Sequence, residues 1–307
     1  MLFEESPGVW RVELDWMGLP GQMAAYLVDA GNAFAVVESG PGSTLPRLLE
    51  AVRALGREPA DVTHVLVTHV HLDHAGAAGA LLGEAPRAKL YAHPLAAPHL
   101  RDPSRLLGSA RRIYGELMDR LWGEMLPVAA DRLVVLHDGD AVRIGRRVLR
   151  AVDTPGHARH HHAFHDPEAG LLFSGDVGGI RLGGGLSYVS VPTPPPDVDL
   201  EAWRASIARL RPLRPTRILP THFGGNDDVE WHLDDLDARI ARLAEWAPGQ
   251  AAATPDLPGF TAALRERGNA EILAATGSGG AVRAYEQAVP YEMLAAGLLR
   301  WLTVKGG

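Results

Sequence analysis

The stretch Thr68-His69-Val70-His71-Leu72-Asp73-His74-Ala75-Gly76 decides the fold of this chain. Three histidines and one carboxylate fall within six residues, from His69 to His74. The residues before them, His64-Val65-Leu66-Val67, read as a buried strand. The small residues after them, Ala75 to Leu82, read as a helix packed close against a neighbour. A stiff strand that ends in such a cluster and turns into a helix fixes ligand atoms from both sides, which suits a metal ion.

Working outward, several other apolar strands end in the same kinds of residue. Val148 to Val152 runs into Asp153-Thr154-Pro155-Gly156-His157, Leu171-Leu172-Phe173 into Ser174-Gly175-Asp176, and Arg217-Ile218-Leu219 into Pro220-Thr221-His222. Short turns on rigid strand ends hold side chains accurately. Together His69, His71, His74, His157 and His222 supply five imidazoles, and Asp73 and Asp176 supply two carboxylates. If they converge, the set can bind two divalent ions. With no cysteine in the chain, thiolate ligands and disulfides are excluded. A nitrogen-rich, sulfur-free set suits zinc, and manganese and iron accept it as well.

Other strands are read at residues 9–15, 24–29 and 33–38, with Gly31-Asn32 as the hairpin turn of the last two. A helix is expected from Ser43 or Thr44 to about Leu55. Residues 95–127 look helical and inserted, either packed on the core or forming a lid. Leu200, Trp203, Ile207 and Leu210 share one face of a helix over 199–210. The order of elements suggests two similar halves, each a sheet covered by helices: an α/β chain folded as a four-layer αββα sandwich. From about Asn226 the chain turns helical. Val229, Leu233, Leu236, Ile240 and Leu243 mark an amphipathic helix ending before Pro248-Gly249, with two more helices near 259–267 and 281–302. The expected division is a catalytic domain over 1–225 and a helical C-terminal extension over 226–307. The stripe suits a helix packed on its own domain; a homodimer seam is the alternative.

The four motifs, in this order, resemble the metallo-β-lactamase fold superfamily, most closely its glyoxalase II and lactonase-type hydrolases. The resemblance covers roughly residues 8–224. It implies that His69, His71 and His157 hold one metal, that Asp73, His74 and His222 hold a second, and that Asp176 bridges them. It further implies that a hydroxide held between the two cations attacks a carbonyl carbon, with Asp73 orienting it. A tyrosine beyond the bridging aspartate assists the oxyanion in some lactonases of this superfamily, which makes Tyr188 a candidate catalytic residue. His161 matches a second histidine of the family motif and reads as support for the ligands.

The remaining histidines take plainer readings: His64 packed in its strand, His93 and His99 structural or at the surface with the pocket wall as the alternative, His137 and His232 at the surface. The run His160, His162 and His165 offers a chance metal site. Specificity is expected to lie in the Gly- and Pro-rich loop 177–196, and Tyr114, Met118 and Trp122 are expected in the wall of a pocket. The Gly run there lacks the Lys-Ser/Thr of a phosphate loop.

The formal net charge of −7 and the lack of a Lys/Arg tract argue against nucleic acid as partner. No apolar run approaches the ~20 residues of a membrane span, and the N-terminal residues lack the pattern of a signal peptide. The cytoplasm is therefore the expected compartment and a small molecule the expected partner. The leading expectation is a dinuclear hydrolase of an ester, thioester or lactone. A mononuclear iron dioxygenase acting on a persulfide uses the same fold and is the alternative; a nuclease and a metal-free binding scaffold rank lower.

Overall fold

A computed structural model describes residues 1–182 and 186–305, so Gly183-Gly184-Gly185 of the predicted specificity loop lie outside the described residues. Two sheets form the centre. The first has seven strands in sequence order: β1 (Leu2–Ser6), β2 (Val9–Glu13), β3 (Ala24–Asp29), β4 (Phe34–Val37), β5 (Val62–Leu66), β6 (Lys89–Ala92) and β7 (Leu133–Val135). β1 to β4 pair antiparallel; β4 to β7 pair parallel, joined through helices. The second sheet runs β12-β11-β10-β9-β8, with β8 (Ala141–Ile144), β9 (Arg147–Asp153), β10 (His162–Asp166), β11 (Leu171–Phe173) and β12 (Arg217–Leu219).

The central strands are apolar at nearly every position because both their faces are covered. Alternate residues point to opposite sides. Leu27, Phe34, Val36 and Val65 pack under α1 (Leu45–Ala54) and α3 (Ala78–Glu84) in one outer layer. Their neighbours Tyr26, Val28, Val37 and Leu66 meet Leu149, Phe164, Phe173 and Leu219 between the sheets. On the far side Ala163, Leu172 and Ile218 pack under α7 (Leu200–Leu210). These three apolar interfaces make the four-layer αββα sandwich expected from the order of elements.

The C-terminal ends of β4, β5, β9, β11 and β12 lie at one rim. Bonds between the sheets hold that rim closed: Tyr26 Oη donates to Pro220 O at 2.6 Å, and Ala24 N to Thr221 O at 2.8 Å. Two glycines are required where chains nearly touch. A Cβ on Gly156 would sit 2.3 Å from Trp203 Cα, and one on Gly175, at φ +50°, 2.5 Å from Thr68 Oγ1. Each precedes a residue of the candidate site, His157 and Asp176.

The helical regions differ in detail from the sequence reading. Residues 95–127 hold three short helices, α4 (Ala97–Arg101), α5 (Ser104–Tyr114) and α6 (Met118–Trp122). Pro248 does not end its helix: α8 runs Val229–Ala253. A proline removes one helical hydrogen bond, and fully buried Ala247 with half-buried Trp246 packs that turn onto the core. The helix expected near 259–267 is the longer α9 (Leu257–Thr276), and Pro290 breaks the expected 281–302 helix into α10 (Gly279–Ala288) and α11 (Tyr291–Lys305). His232, expected at the surface, is fully buried and its Nε2 donates to Gly178 O at 2.7 Å.

The boundary near 225 marks a change in secondary structure that side chains cross freely. Leu233, Leu236, Ile240, Phe260, Leu298 and Trp301 share one apolar cluster with Trp203, Ile207 and Ile218. The α8 stripe is thus used inside the chain. Ending the chain after Asn226 uncovers that cluster, so the fragment should be aggregated or lack a cooperative melting transition in size exclusion and circular dichroism. A monodisperse, cooperatively melting fragment would contradict this packing.

Candidate metal centre

His69 and His71 sit in the turn after β5, and Asp73 and His74 follow in the one-turn helix α2 (Leu72–Ala75). His157, Asp176 and His222 come in from the turns after β9, β11 and β12. All seven residues named from the sequence meet at this rim. Their ligand atoms form interlocking groups: His69, His71 and His157; His69, His74 and Asp176; Asp73, His74 and His222.

The first group is purely imidazole. His69 Nε2 lies 2.8 Å from His71 Nδ1, which lies 3.0 Å from His157 Nε2. Partners on the far side of two rings show where their protons are. His157 Nδ1 donates to Pro192 O at 3.0 Å. Thr68 Oγ1 spends its own hydrogen on Glu38 Oε1 at 2.6 Å, so it accepts from His69 Nδ1 at 3.0 Å. The inward Nε2 atoms of His69 and His157 therefore both present lone pairs toward His71 Nδ1, an arrangement that suits a shared cation. Zinc–nitrogen bonds of about 2.0–2.1 Å put tetrahedral ligand atoms about 3.3 Å apart, close to this spacing. Burial, reinforced by neighbouring imidazoles, holds His69 well below its ordinary pKa and takes His71 down to about 3.

The second group mixes nitrogen and oxygen. His74 Nδ1 donates to Glu38 Oε1 at 3.0 Å, leaving Nε2 3.3 Å from Asp176 Oδ1 and 3.5 Å from Asp73 Oδ2. His222 Nδ1 donates to Gln22 O at 2.7 Å, with Nε2 3.3 Å from Asp73 Oδ2. Burial alone would lower His74, but Asp73, Asp176 and Glu38 outweigh it and hold the ring well above its usual value. The same attraction keeps Asp73 and Asp176 below the ordinary carboxylate range despite their burial. This half of the site demands positive charge. His74 Nε2 and Asp176 Oδ1 are buried without a hydrogen-bond partner among the described residues. Orphaned ligand atoms and outward-directed protons both fit a metal centre.

Glu38 was read in the sequence only as the end of a strand. It is buried, and its backbone takes the left-handed conformation at φ +64°. Its carboxylate accepts from Thr68 Oγ1, Thr68 N, His74 Nδ1 and Thr221 Oγ1. A carboxylate between a buried strand and Ser39-Gly40-Pro41-Gly42 was the only available signal. His161 takes the supporting place expected of it. Its Nε2 accepts from Val177 N at 3.3 Å and its Nδ1 meets Thr154 Oγ1 at 2.8 Å, which steadies the turn carrying Asp176.

Tyr188 is not at this centre. Its ring lies 3.8 Å under the Arg239 guanidinium and 5.1 Å from the Tyr285 ring, lining a separate small cavity. The loop doubles back there, with Val189 N donating to Asp235 Oδ2 on α8 at 2.9 Å, which carries the tyrosine away. His93, Asp153 and His162 form a further cluster. Leu95 N donates to His93 Nδ1 at 3.0 Å, so the ring's proton is on Nε2 and goes to Asp153 Oδ1 at 3.1 Å. That is a closed hydrogen-bonded pair with no free nitrogen on His93, unlike the open lone pairs at the main centre.

The metal centre opens into a cavity of about 640 Å³. Trp16, Arg105, Leu106, Ile113, Tyr114 and Trp122 form one wall, and Pro192, residues 194–197, Val289, Met293 and Arg300 another. Both the 95–127 insertion and the C-terminal helices thus enclose it. Tyr114 and Trp122 lie where the sequence put them; Met118 is buried in the core instead. His99 takes the pocket-wall place that was the alternative for it, and His160 also lines the cavity.

The family model of the metallo-beta-lactamase superfamily matches residues 18–222, the span that carries all of these ligands. The chain belongs to the metallo-beta-lactamase superfamily. A metallo-beta-lactamase fold-containing protein of Sulfurisphaera tokodaii is 28% identical over 164 residues, 52% of this chain and 60% of that protein. An atrochrysone carboxyl ACP thioesterase of Aspergillus fumigatus is 26% identical over 68% of this chain and 39% of its own length. A hydroxyacylglutathione hydrolase of Fuscovulum blasticum is 27% identical over 66% of this chain and 64% of its own. The chain thus spans between 39% and 64% of these superfamily relatives. Among solved structures, a superfamily protein of Thermus thermophilus aligns with a TM-score of 0.68 at 21% identity, covering 99% of this chain and 95% of that one. The shared fold therefore includes the C-terminal helices. Among the described residues no helix is long and apolar enough to cross a membrane.

Two predictions follow from the wiring. Glu38→Gln weakens the acceptor behind His74 and should lower metal affinity about 10- to 100-fold in a chelator competition; unchanged affinity would contradict the assigned role. The second concerns pH. His71, His160 and His162 are each pushed to about 3, mainly by burial, whereas unfolded rings titrate near about 6.5. Between those values the unfolded chain binds more protons, so stability rises with pH. The raised His74 and His222 contribute fully below about 6.5, so they do not oppose that slope. The melting temperature of the metal-free protein should fall as pH drops from about 6.5 toward 3, and a flat profile down to about pH 4 would contradict it.

Proposed function

We propose that the protein is a dinuclear metal-dependent hydrolase of an ester, thioester or lactone-type bond in a small molecule. The observation that carries this reading is the position of Asp176. Its Oδ2 lies 3.4 Å from His157 Nε2 in the imidazole group, while its Oδ1 lies 3.3 Å from His74 Nε2 and 3.6 Å from His222 Nε2 in the other. One carboxylate thus offers an oxygen to each of two ligand groups. His69, His71 and His157 would hold one ion, Asp73, His74 and His222 the second, and zinc suits both, with manganese or iron compatible with the same donors. Bound divalent ions supply Lewis acidity toward a carbonyl and bring the pKa of water into the neutral range.

The chain's own residues do the rest. Asp73 is half-buried at the cavity floor, where its carboxylate can orient an attacking water and take a proton from it. The Tyr114 hydroxyl lines the same cavity and stays protonated, because burial and the Asp73 charge both raise its pKa. It is therefore available as a hydrogen-bond donor to substrate. Trp16 and Trp122, stacked at 5.4 Å, give the cavity an apolar wall beside the centre.

The test joins metal analysis to a panel of thioesters, lactones, phosphodiesters and β-lactams. The expected result is about two divalent ions per chain and thioester or lactone turnover that falls at least about a hundredfold on chelation or in His71→Ala. Activity surviving either treatment would overturn the reading. A single iron with oxygen uptake on glutathione persulfide would replace it with the dioxygenase alternative.

A further inference from the structure

The turns that carry Asp176 and His222 are also supported from the C-terminal helices. Asp176 sits in the turn Gly175–Gly178. The exit of that turn is tied to α8, where His232 Nε2 donates to Gly178 O at 2.7 Å. His222 is held through Arg181. Arg181 N donates to His222 O at 2.6 Å, and Phe223 N returns a bond to Arg181 O at 3.3 Å. The Arg181 guanidinium grips Asp228 with both terminal nitrogens, at 2.5 and 2.9 Å, and lies 4.5 Å from the centre of the Trp231 ring. Asp228 immediately precedes α8, and His232 lies one turn further on, its N donating to Asp228 O at 2.9 Å. One helix start thus anchors both turns.

Both anchors are directional. The Arg181 side chain is only 4% exposed, and a forked guanidinium–carboxylate pair fixes orientation as well as distance. His232 is fully buried and its Nδ1 has no partner among the described residues, so its one bond to Gly178 O is what offsets burying an imidazole. Among the described residues no hydrogen bond runs from α8 to the turns of His69, His71, Asp73, His74 or His157. Loosening the start of α8 therefore leaves the imidazole group its three ring nitrogens. The second group has both His222 and the shared Asp176 on the turns that α8 holds.

Resting on the reading of a two-ion centre, we infer that Arg181 and His232 are positioning residues for the second ion. Through them the start of α8 sets the placement of Asp176 and His222. Binding at Asp73, His74 and His222 then depends on the C-terminal helices, while binding at His69, His71 and His157 does not. The helices thus do more than cover the apolar face of the second sheet: they tune one half of the centre separately from the other. Partners of this kind behind metal ligands typically change affinity by about 10- to 100-fold.

The test uses metal binding, so it does not depend on turnover. The metal-free full chain is titrated with zinc by calorimetry, in competition with a chelator, to resolve two binding steps. Arg181→Met and His232→Leu keep bulk and remove the bonds. Each should weaken the second step about 10- to 100-fold and leave the first within about threefold. His232→Gln, whose amide can still donate to Gly178 O, should recover most of the loss. Asp228→Asn alters a half-exposed carboxylate, the mildest of these changes, and should weaken the second step in the same direction. Ile144→Ala is the control: Ile144 is buried beside Arg147, at the end of β9 far from His157, and its loss lowers the melting temperature through a cavity. It should move neither step. An unchanged second step in the folded variants, equal loss in both steps, a Gln variant as weak as the Leu variant, or the same loss in Ile144→Ala overturns the inference. A single zinc ion in the wild type overturns the two-ion reading and the inference with it. Two ions in a protein that cleaves nothing in the panel overturn only the hydrolase reading and leave the positioning role standing.

Discussion

One buried carboxylate ties the metal centre to the fold. Glu38 accepts hydrogen bonds from Thr68 beside His69, from His74 itself, and from Thr221 beside His222. It leaves the first sheet and reaches the edge of the second. An unpaired carboxylate in that position would be very costly, so its donors must all be in place when the chain folds. The same contacts hold the ligand-bearing turns together. The left-handed backbone at Glu38 is a local strain that this network sustains.

The centre built on that network is divided by charge. Its imidazole group repels protons, since burial and mutual repulsion both disfavour them. Its mixed group attracts them, since the Asp73 and Asp176 carboxylates sit against His74 and His222. Asp176 stands between the two. Such a division gives one electron-rich neutral pocket and one anionic pocket side by side, and the proposed pair of cations would satisfy both at once. The apolar wall beside them keeps the local dielectric low, which strengthens each of these interactions.

All seven ligand-type residues could be read from the sequence, because each follows an apolar strand and the strands bring their ends to one rim. The four-layer sandwich was legible for a related reason: fully apolar short strands need helices on both outer faces. What escaped was long-range wiring. The partners of Glu38 lie 30 to 183 residues away, and no local pattern marks them. Tyr188 was a candidate only through the resemblance to lactonases that use a tyrosine beyond the bridging aspartate, and its spacing differs from theirs; the bridge between Ile180 and Ser190 and the bond from Val189 N to Asp235 fold its loop back against α8. Pro248 resembled a helix end and is carried through by packing, while Pro290, unremarked, divides α10 from α11. The amphipathic stripe of α8 suited packing on its own domain, but it could not reveal that the partners were α7 and the second sheet.

Anomalous diffraction from crystals of the zinc-loaded protein tests the central claim most directly. The account predicts two peaks roughly 3.5–4 Å apart, one among His69, His71 and His157, the other among Asp73, His74 and His222, with Asp176 contacting both. A single peak, or a second peak at His93, Asp153 and His162 instead, would contradict it.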